Sequence, residues 1–204
     1  MVIRYLLVCV VGAMLAFGWG AATWGGGLWS WSMQSAKQPE ALLSAVQASA
    51  SESGAILYPG FPVVPQGATP AEATAVVDSV VAKYKQGPLF MVLYHKDGTD
   101  MSDGRVFVRG FLIELFATAA LAAIIGLGGA GHGPLRRFMV LLAAVAFMCM
   151  GTHLVAWNFL YVPGSWTLAL TLDSAGCWTL AGLPAVFFLR SMREGDVPKE
   201  FRAA

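Results

Sequence analysis

Charge is scarce in this chain of 204 residues. Only 12% are Asp, Glu, Lys or Arg, about half of what a soluble domain usually carries. Neither sign dominates: thirteen bases meet twelve acids, for a formal net charge of +1. That balance argues against a nucleic-acid binder, which shows a clustered basic surplus. With 57% hydrophobic residues and a mean hydropathy of +0.64, the chain is also no candidate for intrinsic disorder. Cysteine is equally scarce. Cys9, Cys149 and Cys177 all fall in apolar runs and have no zinc-motif spacing, so neither a disulfide framework nor a zinc site is indicated. No Ser-His-Asp or Cys-His hydrolase pattern and no phosphate loop occurs. The glycine run from Gly126 to Gly131 lacks the strand-then-helix context of a dinucleotide fingerprint.

What is plentiful is long apolar sequence. A membrane helix needs about 20 apolar residues. Four stretches reach that length: Tyr5 to Trp24, Gly110 to Ala130, Phe138 to Val162, and Trp166 to Leu189. The expected fold is therefore mainly α, a four-helix transmembrane bundle with a small α/β unit in the first outer loop. The domain boundaries follow: a first helix over 1–24, an exported unit over 25–105, three helices over 106–190 and a cytoplasmic tail over 191–204. A cleaved signal peptide is the alternative for the first stretch. The bulky Trp residues in GWGAATW make a poor cleavage region, and Gly12, Ala16 and Gly20 offer a small-residue face for helix packing.

Orientation follows the Lys and Arg residues near the helix ends. Arg4, Arg136, Arg137, Arg190, Arg193, Lys199 and Arg202 lie in very short segments, where the rule is strongest. This puts both termini in the cytoplasm of a bacterium, with the long segment outside its inner membrane. Trp19, Trp24, Trp29, Trp157, Tyr161 and Trp166 then fall at outer helix ends, as an interfacial aromatic belt. Arg105 and Arg109 mildly oppose the rule and call for local acidic partners.

Within the exported segment, Pro39-Glu40 opens a short amphipathic helix. Ala55 to Tyr58 reads as a strand, Thr69-Pro70-Ala71-Glu72 as a capping box before a second helix, and Leu89 to His95 as a second strand. Two such strands, if adjacent, are expected to be parallel. Two strands alone are marginal, so the unit needs support from the membrane, its own helices or a partner. The loop from His95 to Gly104 holds three Asp residues, but without EF-hand spacing it reads as a solvated turn.

Ionisable residues inside a span are costly, about 2.5–3.5 kcal/mol each on insertion scales. Three occur: Glu114, His153 and Asp173. At a rise of about 1.5 Å per residue, all three fall in the outer half of the bilayer. They form a candidate intramembrane polar cluster. One reading is functional: a proton or cation relay, or a head-group site for a quinone or lipid. The other is structural: the groups pair with each other or with Arg109, Thr152 or Asn158 and fix helix register. Met148, Cys149, Met150 and His153 offer soft copper ligands at helical spacing, but they are equally ordinary core residues. A buried b-type haem usually needs two axial ligands, and His132 lies at the opposite face. No catalytic, cofactor-binding or metal residue is assigned, and no cofactor is identified.

The pattern of Ser53 to Pro62 (SGAILYPGFP), then Gly87 to Gly98 (GPLFMVLYHKDG), then three apolar helices resembles uncharacterised small bacterial inner-membrane proteins with an exported first loop. That resemblance brings no activity and no site residues. A second likeness, to claudins, rests on Gly27-Leu28-Trp29 near the start of a large first loop. Claudins follow that motif with a cysteine pair, which this loop lacks.

Small size, small-residue helix faces and the missing catalytic signature point first to a non-catalytic accessory, assembly or scaffold component of a larger membrane complex. Its partners would be the lipid bilayer and other membrane proteins or further copies of itself, not nucleic acid. Two alternatives stay open: a proton- or cation-coupled carrier using Glu114, His153 and Asp173, and a membrane enzyme or redox protein acting on a lipid or quinone.

Overall fold

The structure, a computed structural model, describes residues 2–189. They form two compact units. One takes the described residues up to Gln34 and from Met101 onward; the other is Ser35–Asp100.

The first unit is helical. α1 (Val2–Gly20) continues into a π-helical turn (Ala21–Gly25), then stops at Gly26 and Gly27. Gly27 takes a φ of 72°, which a side chain would resist. A 3₁₀ turn follows at Ser30–Ser32. α4 (Gly104–Gly128) begins earlier than the apolar run from Gly110, because the Asp103 side chain caps it by accepting from the Arg105 N–H. Asp103 also pairs with the Arg105 guanidinium at 2.9 Å, the local partner expected of that arginine. α5 (Pro134–Cys149) passes through a second π turn (Met150–Leu154) into the short α6 (Val155–Phe159). α7 (Gly164–Phe188) runs unbroken through Pro184.

Three of the helical stretches, Val2–Gly25, Gly104–Gly128 and Pro134–Phe159, are long and apolar enough to cross a membrane. α7 has 25 residues but is not among them. Its setting explains its polarity. It packs against α1, α4 and α5, so much of its surface meets protein, and it can carry Thr, Ser, Gly and Asp. Between apolar helices in lipid, close packing and hydrogen bonds replace the hydrophobic drive of water. Gly12 is one device for this. A Cβ there would meet the Thr118 methyl and lie 2.6 Å from the Ala181 carbonyl oxygen, so only glycine lets α1 come this close to α7. The core holds Val8, Leu121, Ile125, Leu141, Val145 and Val186.

Arg137, counted above only toward orientation, is 5% exposed. Its guanidinium donates to the Val186 carbonyl at 3.3 Å and to the Leu189 carbonyl, satisfying orphan acceptors at the end of α7.

The second unit contains α2 (Pro39–Ser49), β1 (Gly54–Tyr58), α3 (Pro70–Gln86) and β2 (Phe90–Tyr94). The capping box at Thr69 and Glu72 is present, with Pro70 in the first turn and Lys83 and Lys85 in the last. The expected parallel pairing is wrong. β1 and β2 are antiparallel, with Gly54 opposite Tyr94 and Tyr58 opposite Phe90. A parallel pair needs a crossover that returns the chain to the strand's starting end. Here the proline-bearing stretch 59–69 leads away and α3 leads back, so β2 enters beside the end that β1 left. α2 and the sheet border an apolar cleft of about 280 Å³, lined by Leu42, Val46, Ile56, Phe90 and Val92 among others. None of residues 35–100 is buried.

Candidate functional site

Asp173 sits on α7 opposite the chain that leaves α1. Its Oδ1 accepts from the Trp19 indole at 2.8 Å and the Trp29 indole at 2.9 Å. Its Oδ2 accepts from the Trp24 indole at 2.9 Å. The Thr23 hydroxyl, 6% exposed, lies 3.1 Å from Oδ1 and 3.0 Å from the Trp19 carbonyl oxygen. An indole N–H only donates. Three such donors suit the acceptor-only oxygens of a carboxylate, and the Thr23 hydroxyl can complete the shell. Bonds to an ionised acceptor are also the stronger kind. No Lys or Arg pairs with Asp173 among the described residues.

Local folding puts the donors in place. The π turn at Ala21–Gly25 carries Thr23 and Trp24, and the 3₁₀ turn next to it brings Trp29 to the same carboxylate. Trp19 needs room against α7. Gly176 provides it, because a Cβ there would lie 2.6 Å from the Trp19 ring carbon Cη2. Trp24 makes an edge contact with Trp166 at 5.8 Å between ring centroids, and Trp29 one with Trp31 at 6.5 Å.

His153 lies in the other π turn and reaches the neighbouring residue of α7: its Nε2 is 2.8 Å from the Ser174 hydroxyl. Two π turns thus flank one step of α7, Asp173-Ser174. A π turn inserts an extra residue into a helix and re-aims its side chains, and such turns often mark functional positions.

Glu114 stands on α4. Its Oε2 is closed to solvent and has no hydrogen-bond partner, and the same is true of the hydroxyls of Thr118, one turn along, and Thr167. Asp173 is near enough to act electrostatically on both Glu114 and His153. The three residues singled out by sequence therefore share a neighbourhood, but among the described contacts no hydrogen bond or ion pair joins any two of them. Thr152 bonds within its own helix, to the Met148 carbonyl oxygen at 2.6 Å. Cys149 turns to the Thr171 carbonyl oxygen and His153 to Ser174. No group of His, Cys, Asp or Glu is placed to hold a metal among the described residues.

The partners that sequence reasoning missed are Trp19, Thr23, Trp24, Trp29 and Ser174. The tryptophans looked sufficient as a belt at the interface. The usable signal was complementarity: several donor-only side chains at the exit of one helix, and one acid at similar depth in another. No protein family model, no curated protein and no solved structure matches the chain.

Proposed function

We propose that the chain is an integral membrane protein and serves as a non-catalytic accessory, assembly or scaffold component of a larger membrane complex. In this reading α7 is a fourth span, both termini are cytoplasmic, and residues 35–100 stand outside a bacterial inner membrane. The observation that carries it is the contrast between the units. The helical unit closes on itself through the Asp173 shell and the Gly12 contact. The unit Ser35–Asp100 has no buried residue, yet it presents an apolar cleft and exposed Leu93 and Phe61. A unit that small gains little from its own core and gains stability by docking.

The test is photo-crosslinking in native membranes from a probe at position 93, followed by gentle detergent extraction. The expected result is one discrete adduct, with a second copy or another membrane protein, that is lost in the cleft variant Val92→Asp. A clean monomer with no adduct overturns the scaffold reading.

A proton- or cation-coupled carrier is the second reading, favoured by the unpartnered oxygen of Glu114. The three indole bonds to Asp173 weigh against it, since an ion bound there would have to displace or compete with them. Liposome flux unchanged by Glu114→Gln and Asp173→Asn rules it out.

A further inference from the structure

We propose that Glu114 is a proton-binding site inside the bilayer, a neutral carboxylic acid open to modification by a lipid-soluble carbodiimide. The inference rests on the membrane reading but on neither the scaffold nor the carrier role. It starts from the difference between two acids in one seam. Asp173 has a full shell: three indole N–H groups donate to it and the Thr23 hydroxyl lies within reach. Glu114 has no such shell. Its Oε2 is shut away from solvent with no partner, and one turn along, Thr118, 2% exposed, also keeps an unpartnered hydroxyl.

Among the described residues no cation pairs with this carboxyl. The titratable or charged groups on the elements packed around it are Arg4, Tyr5 and Cys9 on α1, Arg136, Arg137 and Cys149 on α5, Asp173 and Cys177 on α7, and Arg105 and Arg109 on α4 itself. Tyr5 donates to the Ala119 carbonyl oxygen, Cys177 to the Ala16 carbonyl oxygen, and His153 is engaged by Ser174. Arg109 makes no ion pair with Glu114. The charged group that acts on Glu114 is Asp173, an acid of the same sign. An ionised, unpartnered carboxylate in apolar surroundings costs far more than the neutral acid, and two neighbouring carboxyls do not both ionise readily. Glu114, with its buried oxygen unpartnered, therefore keeps the proton.

A hydrophobic carbodiimide reports this state. The acid adds across one C=N bond, its oxygen going to the central carbon and its proton to nitrogen, with nothing released. Membranes holding the full chain are washed in alkaline carbonate, treated with dicyclohexylcarbodiimide near neutral pH, and the peptides are read by mass spectrometry. Infrared spectra of the wild type and Glu114→Gln, which keeps the neutral shape, are compared in parallel. The expected result is an adduct on Glu114 and none on Asp173. The adduct is lost completely in Glu114→Gln, together with a protonated-carboxyl band. Either the Glu114 adduct or the lost band, with Asp173 unlabelled, supports the site. An adduct on Asp173 overturns it, as does the absence of both signals in a chain that stays in the membrane. A chain stripped off by carbonate overturns the membrane reading and this inference with it.

Discussion

Asp173 shows how one residue can organise a chain end. Its two oxygens meet three indole N–H groups and lie within reach of a hydroxyl. Asp173→Asn is nearly isosteric but presents an NH₂ group to a shell made of donors. At least one bond is lost and one donor faces another. Hydrogen bonds to a charged acceptor contribute about 1.5–3 kcal/mol each. The loss is expected at the upper end of that range rather than a multiple of it, because Trp24 is 37% exposed and water can replace its bond. Thermal unfolding in detergent followed by tryptophan emission measures it; an unchanged midpoint rejects the clasp. Gly176→Ala tests the same contact from the other side, since its Cβ must displace the Trp19 ring. Overpacking of this kind costs about 1–3 kcal/mol. At this scale the sequence was half legible. Asp173 stood out because an acid in an apolar run is anomalous by itself. Its donors did not, because a tryptophan at a helix end has an adequate explanation in the interface alone.

Elements were easier to read where the signal was local. The capping box is the clearest case. Thr69 and Glu72 satisfy each other's end of α3, and the backbone N–H of Thr69 donates to Glu72 at 2.7 Å. These bonds hold the Glu72 carboxyl below the usual carboxylate range, the backbone donor contributing most and the Thr69 hydroxyl next. The sign is that of a depressed acid: the stabilisation is fully present above the unfolded pKa and is lost as pH falls through the lowered folded value. Amide exchange in the first turn of α3 should therefore accelerate as the medium is acidified through that region. Thr69→Ala should accelerate it already at neutral pH, and exchange independent of both changes counts against the box. Strand direction was not legible, because it depends on where a connection returns rather than on any residue within a strand. The π turns were equally hidden. His153 in Met150–Leu154 stood out as a polar residue, but nothing in either stretch announced an extra residue per turn. What demands the extra residue is the partner on α7, far away in sequence.

Across the whole molecule, the apolar runs forecast a mainly helical protein with several spanning-length helices, and three helical stretches meet that test. α7 is the instructive exception. It packs against three other helices and is not among the stretches apolar enough to pass the same test. This arrangement makes a further prediction. α1 is joined to the other helices in sequence only through the unit Ser35–Asp100, but in space it packs on α4 and α7 and holds Asp173 through Trp19 and Thr23. A protease supplied to the outer face of sealed vesicles should cut the exposed proline-bearing stretch 59–69 and leave two fragments. Those fragments should stay together through mild detergent, because the contacts between them are buried helix packing and hydrogen bonds rather than the severed loop. Asp173→Asn should let the N-terminal fragment separate in a larger share of molecules. Cleavage from the inner face instead reverses the proposed orientation. Fragments that part at once in the wild type show that the loop, not the Asp173 shell and the Gly12 contact, keeps α1 in place.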